Sequence, residues 1–379
     1  MQTVTLEYQH TRTPTHKHPN TNRYVDSILE LHRVCTTVHR ERFQSNARFQ
    51  KFMNVSFEKI LNRSFGKDET STERILVEYI HMILSKGKTS NGTRLTTLQI
   101  KSKCMKVLDL VDHVFSKDKF LEEYSSRLQD RLLDTTYKEY GVESDVLSRI
   151  KLKVGQVSSM EVMLKDMKQV KHVYAEWTEA YTANHTESSH CSRLHPIVLT
   201  EVSWKFNPEP KHRVQIPVTM EKALTFFLES YSQKFPQRKM CVRHNLSPVI
   251  LSYKCGGDEK KKVSYRITMT APQACLLILF NTEKVMTIPK IMDYLKIDST
   301  RVKQILLSLL VRPSKSCRSG LVMKMKRDGV PPLPLLNDDE FCLHPNFKNT
   351  KMAFTLRRPQ SKGKESKSLG MFVYGVRVS

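Results

Sequence analysis

The sequence predicts a mainly α chain of the α+β class: a helical bundle, then a mixed α/β domain, then three short helices with closing strands. Three observations carry this. From Tyr24 to about Tyr181 apolar residues recur at spacings of three and four, with no glycine-rich punctuation until GKTSNG at 87–92. After residue 195 the pattern changes to short segments rich in valine, isoleucine and aromatic residues, bounded by proline, glycine or asparagine. From Thr270 onward three short apolar runs follow one another, each behind its own helix-start signal.

In chain order, MQTVTLEYQHTRTPTHKHPN has no apolar h-region of a secretory signal, and residues 1–22 are expected to form a disordered arm. YVDSILELHRVCTTVHRERF, FQKFMNVSFEKILN, STERILVEYIHMILSKG and the run from Leu95 to Leu133 follow as amphipathic helices. ESDVLSRIKLKV, between Gly141 and Gly155, is a further short one, and short links make a bundle the natural arrangement. In FSKDKFLEEYSSRLQDRLL, at 115–133, Phe120, Tyr124, Leu128 and Leu132 stand four apart, and Leu121 and Leu133 widen the stripe. Asp118, Glu122, Glu123, Arg127, Asp130 and Arg131 occupy the other side. They are expected to form a solvated face, with a Glu123–Arg127 pair worth about 0.3 kcal/mol.

YTANHTESSHCSRLH, 181–195, is polar and reads as a linker. PIVLTEVSW, VQIPV, MCVRHNL, VILSYK and VSYRITMT read as strands, with one amphipathic helix, VTMEKALTFFLESYSQKF, among them. Thr270 and Gln273 have capping-box spacing before ACLLILFN, Thr287 precedes IPKIMDYLK, and Asp298 precedes STRVKQILLSLL. GLVMKMK and NTKMAFTLRR then read as a closing β pair. Three short helices with a β pair is the winged-helix pattern, which serves DNA binding and protein docking alike. Residues 360–379 are expected to be a disordered tail.

Composition narrows the function. The 379 residues carry 62 Lys plus Arg against 38 Asp plus Glu, a formal charge of +24, so an acidic partner is expected. No run reaches the ~18–20 apolar residues of a membrane span; the longest, ACLLILF, fits a buried helix. A cytoplasmic or nuclear location and no membrane partner are therefore expected. Eight scattered cysteines suit free thiols in a reducing compartment. Cys191 with His195, and Cys241 with His244, have metal-ligand spacing but no CxxC partner, so no zinc site is expected. No G-x-x-x-x-G-K, G-x-S-x-G or H-E-x-x-H occurs, and only 12 glycines serve the chain. His113 reads as packed or solvated rather than catalytic. The expectation is a non-enzyme with no cofactor.

Several segments carry a family likeness. Lys117, Asp118, Phe120, Tyr124, Leu128, Arg131, Leu132 and Leu133 match a KD-x-F, aromatic, leucine, RL-L/V pattern of the cullins, scaffolds of multisubunit ubiquitin ligases. FQKFMNVSFEKILN and ILVEYIHMILSKGK resemble the segments leading into the cullin four-helix bundle. LSRIKLKVG, MEVMLKDM, FFLESYSQKFPQRKM and QACLLILFNTEKVMTI resemble later cullin segments in the same order. The chain thus resembles the C-terminal half of a cullin from about Tyr24 to about Pro359. The resemblance implies a stalk end at 23–66, a four-helix bundle at 67–185, an α/β domain at 186–269 and a winged helix with closing strands at 270–359. It departs from the family where QRKMCV replaces GRKLTW, where LKVG replaces a cysteine-glycine form, and at the YKEYG link. Nothing matches the adaptor-binding repeats or the I-V-R-I-M-K motif that bears the modifier-accepting lysine, so a truncated form is expected and no acceptor lysine is assigned.

The resemblance implies two sites. A RING-box protein would thread a strand into the α/β sheet beside MCVRHNL and VSYRITMT, with Met240, Val242, Ile267 and Met269 as contacts; the same four would equally serve as the sheet's own core. A basic groove would attract the acidic tail of a ubiquitin-conjugating enzyme, with Lys86, Lys88, Lys348 and Lys351 at matching positions, although each alone reads as an ordinary surface charge. Other regulators of cullin complexes are implied partners as well. The competing reading is a basic winged-helix nucleic-acid-binding protein using Arg301, Lys303 and Gln304, disfavoured by the apolar residues that follow them. A third is a decayed paralogue without activity.

Overall fold

The computed structural model describes residues 21–62, 71–89, 91–134, 139–184, 194–206, 214–244, 247–255, 263–313, 317, 319–325, 333–356 and 359. Residues 1–20 of the expected arm, the tail at 360–379 and Cys191 lie outside them, while residues 21 and 22 of that arm are instead the start of the first helix. The chain divides into two compact units, residues 1–165 with 200–205, and residues 166–199 with 206–379. Among the described residues there are eleven α-helices and six strands, an α+β chain that is mainly α.

The first unit holds α1 (Thr21–Arg42), α2 (Ala47–Leu61), α3 (Thr72–Lys86), α4 (Thr97–Leu110), a 3-10 turn (Val111–His113), α5 (Lys117–Leu132) and α6 (Tyr140–Val154). The first turns of α7 (Ser158–Asn184) also belong to it. Their starts are set by short polar side chains. Asn46 Oδ1 accepts from the N–H of Arg48 at 2.9 Å, and Thr96 and Gln99 bond reciprocally in a capping box. Gly87, at φ 58°, supplies the left-handed turn that stops α3. α3 is the central helix: Ile75, Leu76, Val77, Tyr79, Ile80, Ile83 and Leu84 are buried on all sides of it.

α5 buries the stripe its periodicity predicts, with Phe120, Tyr124, Leu128, Leu132 and Leu133 at 2% exposure or less. Its charged side is not the solvated face expected from the sequence. Arg131 and Asp130 are buried, and Arg127 pairs with Glu78 and Asp130 instead of Glu123. The cause is a polar or charged neighbour on each flank, Glu78 and His81 from α3 and Glu143 from α6. Arg131 grips the Glu143 carboxylate with Nε at 2.9 Å and Nη2 at 2.6 Å, and both side chains are wholly buried. Tyr124 donates its hydroxyl to the same carboxylate at 2.5 Å, and Arg131 Nη1 stands 3.3 Å from His81 Nδ1. A bidentate, fully hydrogen-bonded pair offsets much of the cost of burying two charges. Near this network Gln129 clamps Lys205, accepting from its N–H at 3.1 Å and donating to its carbonyl at 3.4 Å.

The second unit opens with the rest of α7 and α8 (Val218–Lys234), which share an aromatic core of Trp177, Tyr181, Phe227 and Tyr231. Trp177 Nε1 donates to the Leu194 carbonyl at 2.9 Å and fastens the chain that follows the linker. Then come β1 (Pro248–Cys255), β2 (Val263–Thr270), α9 (Ala271–Leu279), β3 (Val285–Thr287), α10 (Ile288–Leu295), α11 (Ser299–Leu310), β4 (Val322–Lys324), β5 (Glu340–Leu343) and β6 (Ala353–Thr355). One sheet has the order β1-β2-β6, with β2 antiparallel to β1 and parallel to β6; the other has the order β3-β5-β4, all antiparallel. The helix starts fall where Thr270, Thr287 and Asp298 predict, and Asp298 caps the N–H of Arg301 at 3.1 Å.

The strand readings are corrected in part. Only VILSYK and VSYRITMT, of the five segments read as strands before Thr270, lie in strands; the described parts of PIVLTEVSW, VQIPV and MCVRHNL have no ladder partner. Their residues favour extended backbone, but a ladder also requires a neighbouring edge. GLVMKMK and NTKMAFTLRR do not pair with each other. β4 from the first joins β5, whose EFCL was not read as a strand, while β6 from the second crosses to β2.

Candidate functional site

The segment after α8 combines regular side-chain alternation with free backbone. Phe235 caps the end of α8, its N–H reaching the Tyr231 carbonyl at 2.9 Å, and a turn bonds the Arg238 N–H to the Phe235 carbonyl at 3.0 Å. Arg238 is fixed on both sides: Nη1 donates to the Tyr231 hydroxyl at 2.8 Å, and the guanidinium lies 4.4 Å from the Phe235 ring centroid. Lys234 bonds Glu176 at 2.5 Å, and that bond holds the Glu176 carboxyl below its ordinary range.

Beyond Arg238 the exposures alternate. Lys239 and Cys241 are exposed, Met240 is half-buried and Val242 is buried. Among the described residues nothing donates to or accepts from the backbone of Lys239–Val242. Ser247 Oγ donates to the Arg243 carbonyl at 2.8 Å, and the Ser247 N–H to the His244 carbonyl at 3.2 Å, so the segment is tied directly to the start of β1. β1 is itself an edge strand of its sheet among the described residues. A depression of about 440 Å³ lies alongside, lined by Leu228, Ser232, Pro236, Arg238 and Met240 among others. The second unit therefore offers a segment of alternating exposure with unpaired backbone, and a strand edge, which another chain's strand can complete by backbone hydrogen bonds.

The four predicted strand contacts separate. Met240 packs on the aromatic core of α7 and α8 from within the unpaired segment, and Val242 lies two residues on. Ile267 and Met269 are 0% and 3% exposed inside the core of β2, α9 and α11, and β2 already has β1 on one side and β6 on the other. They fill the sheet's own core and are not surface contacts. The sequence reading missed the Tyr231–Phe235–Arg238 clamp, although the FPQR turn was its visible signal.

The four predicted groove lysines are all exposed. In the first unit Lys86 ends α3 and Lys88 bridges Arg94 across a tight hairpin closed by the Thr89 N–H to Thr93 carbonyl bond, 2.9 Å. Arg94, also exposed, adds a cation that the sequence reading left out. In the second unit Lys348 and Lys351 flank Asn349, whose Oδ1 accepts from the Lys351 N–H at 3.2 Å. Arg301, Lys303 and Gln304 are half-buried on α11, and Leu307 and Val311 follow them to the surface. His113 is buried, 5.6 Å from the Phe57 ring, and burial pulls its pKa down. Lys117 is half-buried and Asp118 exposed in the first turn of α5. No helix among the described residues is long and apolar enough to cross a membrane.

A family model described as the cullin alpha solenoid domain matches residues 3–174, and one described as the cullin alpha+beta domain matches residues 198–343. Cullin-1 of Oryza sativa subsp. japonica is 27% identical over 291 residues, 76% of this chain and 37% of that protein. Cullin-4 of Schizosaccharomyces pombe is 24% identical over 299 residues, 76% of this chain and 38% of its own length. Cullin-5 of Dictyostelium discoideum is 21% identical over 357 residues, 91% of this chain and 45% of its own. The chain spans less than half the length of these curated relatives.

Proposed function

The chain belongs to the cullin family, and from that premise we propose that it is a non-catalytic scaffold that holds a RING-box protein and, through it, positions a ubiquitin-conjugating enzyme. The observation that carries the reading is the unpaired backbone of Lys239–Val242 beside the edge strand β1. An incoming strand gains register from those N–H and carbonyl groups and contacts Met240 on the inward side. Ile267 and Met269 support the sheet from behind.

We read residues 23–66 as the end of the family's stalk, 67–185 as its bundle, 186–269 as its α/β domain and 270–359 as its winged helix. The succession α9-β3-α10-α11-β4-β5 supports the last of these. The apolar end of α11 favours protein docking there over base reading. Lys86, Lys88, Lys348 and Lys351 serve as a field that draws in the acidic conjugating enzyme. The reading carries with it action in the cytoplasm or nucleus, with no membrane or nucleic-acid partner.

The test is co-expression with a RING-box protein, followed by affinity capture and a ubiquitin-chain assay with a conjugating enzyme. Co-purification of the two chains with RING-dependent chain formation is expected. Failure to retain a RING-box protein, under conditions where a full-length cullin retains one, would overturn the proposal.

A further inference from the structure

The sheet β1-β2-β6 has one face on the core and one face bare. Val249, Leu251, Tyr265, Ile267 and Met269 point inward and are buried. On the opposite face the register aligns Ser252, Arg266 and Ala353 in one row across the three strands. Lys254 stands opposite Ser264 on one side of that row, and Thr268 lies between Ile250 and Thr355 on the other. Lys254, Ser264, Arg266, Ala353 and Thr355 are exposed.

This face is unbalanced in charge. None of its positions is acidic, and among the described residues neither Lys254 nor Arg266 has an ion-pair partner. Two exposed cations and no carboxylate leave the face with a net positive charge. The face is also low, because Ser252, Ser264 and Ala353 surround Arg266 and the two serine hydroxyls bond each other at 3.1 Å. The sheet's aromatic residues, Tyr253, Tyr265 and Phe354, pack on the inner side, so the outer face has no ring on which a nucleic-acid base could stack. A strand would need an edge, whereas the element that covers a sheet face in layered folds is a helix, about 10 Å above it.

We propose that the bare face of β1-β2-β6 docks an acidic helix of a partner protein, with Arg266 and Lys254 receiving its carboxylates and the small residues admitting its backbone. The face is separate from the backbone of Lys239–Val242, so the inference does not rest on the RING-strand reading. The probe is a labelled alanine-based helical peptide with glutamate at every fourth position, titrated into the full chain. K254S/R266S is expected to weaken binding at least fivefold, while K222S/K284S, which removes two exposed cations elsewhere in the same unit, changes it less than twofold. A Glu-to-Gln peptide is expected not to bind. Equal weakening by both double variants, or none by K254S/R266S with its melting temperature unchanged, overturns the proposal. So does a K254S/R266S defect confined to a DNA duplex or to phosphatidylserine vesicles. RING-box capture by K254S/R266S, measured in parallel, is expected to be unaffected; failure of the unaltered chain to capture a RING-box protein while it binds the peptide counts against the strand reading alone.

Discussion

Arg131 and Glu143 are wholly buried, so each compensates much of the other's lost hydration, with Tyr124 and His81 beside them. Removing one partner leaves a buried charge. Arg131→Leu is therefore expected to destabilise the first unit by about 3–5 kcal/mol, and Arg131→Leu with Glu143→Leu by less than the single change, measured by denaturant unfolding. A single change costing under ~1 kcal/mol would contradict the pairing. Beside them His81 is held neutral, its pKa pulled down to about 4 by burial and then by Arg131 and Arg127. In the unfolded chain it takes up a proton near 6.5, so the unfolded state binds more protons between those values and stability falls as pH drops through that window. His32 and His113, lowered chiefly by burial, act in the same direction. His81→Leu should flatten stability against pH between 6.5 and 4 by up to one proton, and an unchanged slope would count against its neutral burial. The sequence showed the apolar stripe of α5 but not this network. Periodicity ranks Arg131 as polar, and its partner sits on another helix, twelve positions along the chain.

Between elements, the sequence revealed what was local and hid what was paired at a distance. Capping signals at Thr96, Asp298 and Thr270 and the left-handed Gly87 mark helix ends with nearby residues, so they can be read directly. The parallel pairing of β6 with β2 joins residues more than eighty positions apart, and nothing in AFT announces it. Gly320 shows how tightly such elements meet. A Cβ there would fall 2.2 Å from the Leu310 carbonyl oxygen, and next to it the Leu321 N–H bonds the Leu309 carbonyl at 2.9 Å. Gly320→Ala should therefore cost about 1–3 kcal/mol by overpacking at the end of α11. A thermal midpoint equal to that of the unaltered chain would contradict that contact. In the unpaired segment the opposite holds. Cys241→Pro removes an N–H that nothing among the described residues uses, so it should leave stability nearly unchanged while weakening RING-box capture at least tenfold. Equal capture by both proteins would sink the pairing.

For the molecule as a whole, the excess of cations is the property most legible in the sequence, and its placement the least. Lys86, Lys88, Lys348 and Lys351 emerge exposed, which composition alone did not establish, and Arg94 joins the first pair through a hairpin bridge. Long-range attraction of this kind acts on encounter. Lys86→Glu with Lys88→Glu should slow association with an acidic ubiquitin-conjugating enzyme several-fold at low salt, with dissociation little altered, and the difference should shrink as salt rises. A salt-independent difference in stopped-flow rates would rule out a long-range field. The proposed scaffold role requires a strand-accepting backbone, and amide hydrogen exchange at Lys239–Val242 probes that requirement. Fast exchange in the free chain, slowed at least tenfold once a RING-box protein is bound, is the predicted result; a stable complex in which those amides exchange as fast as before would contradict it.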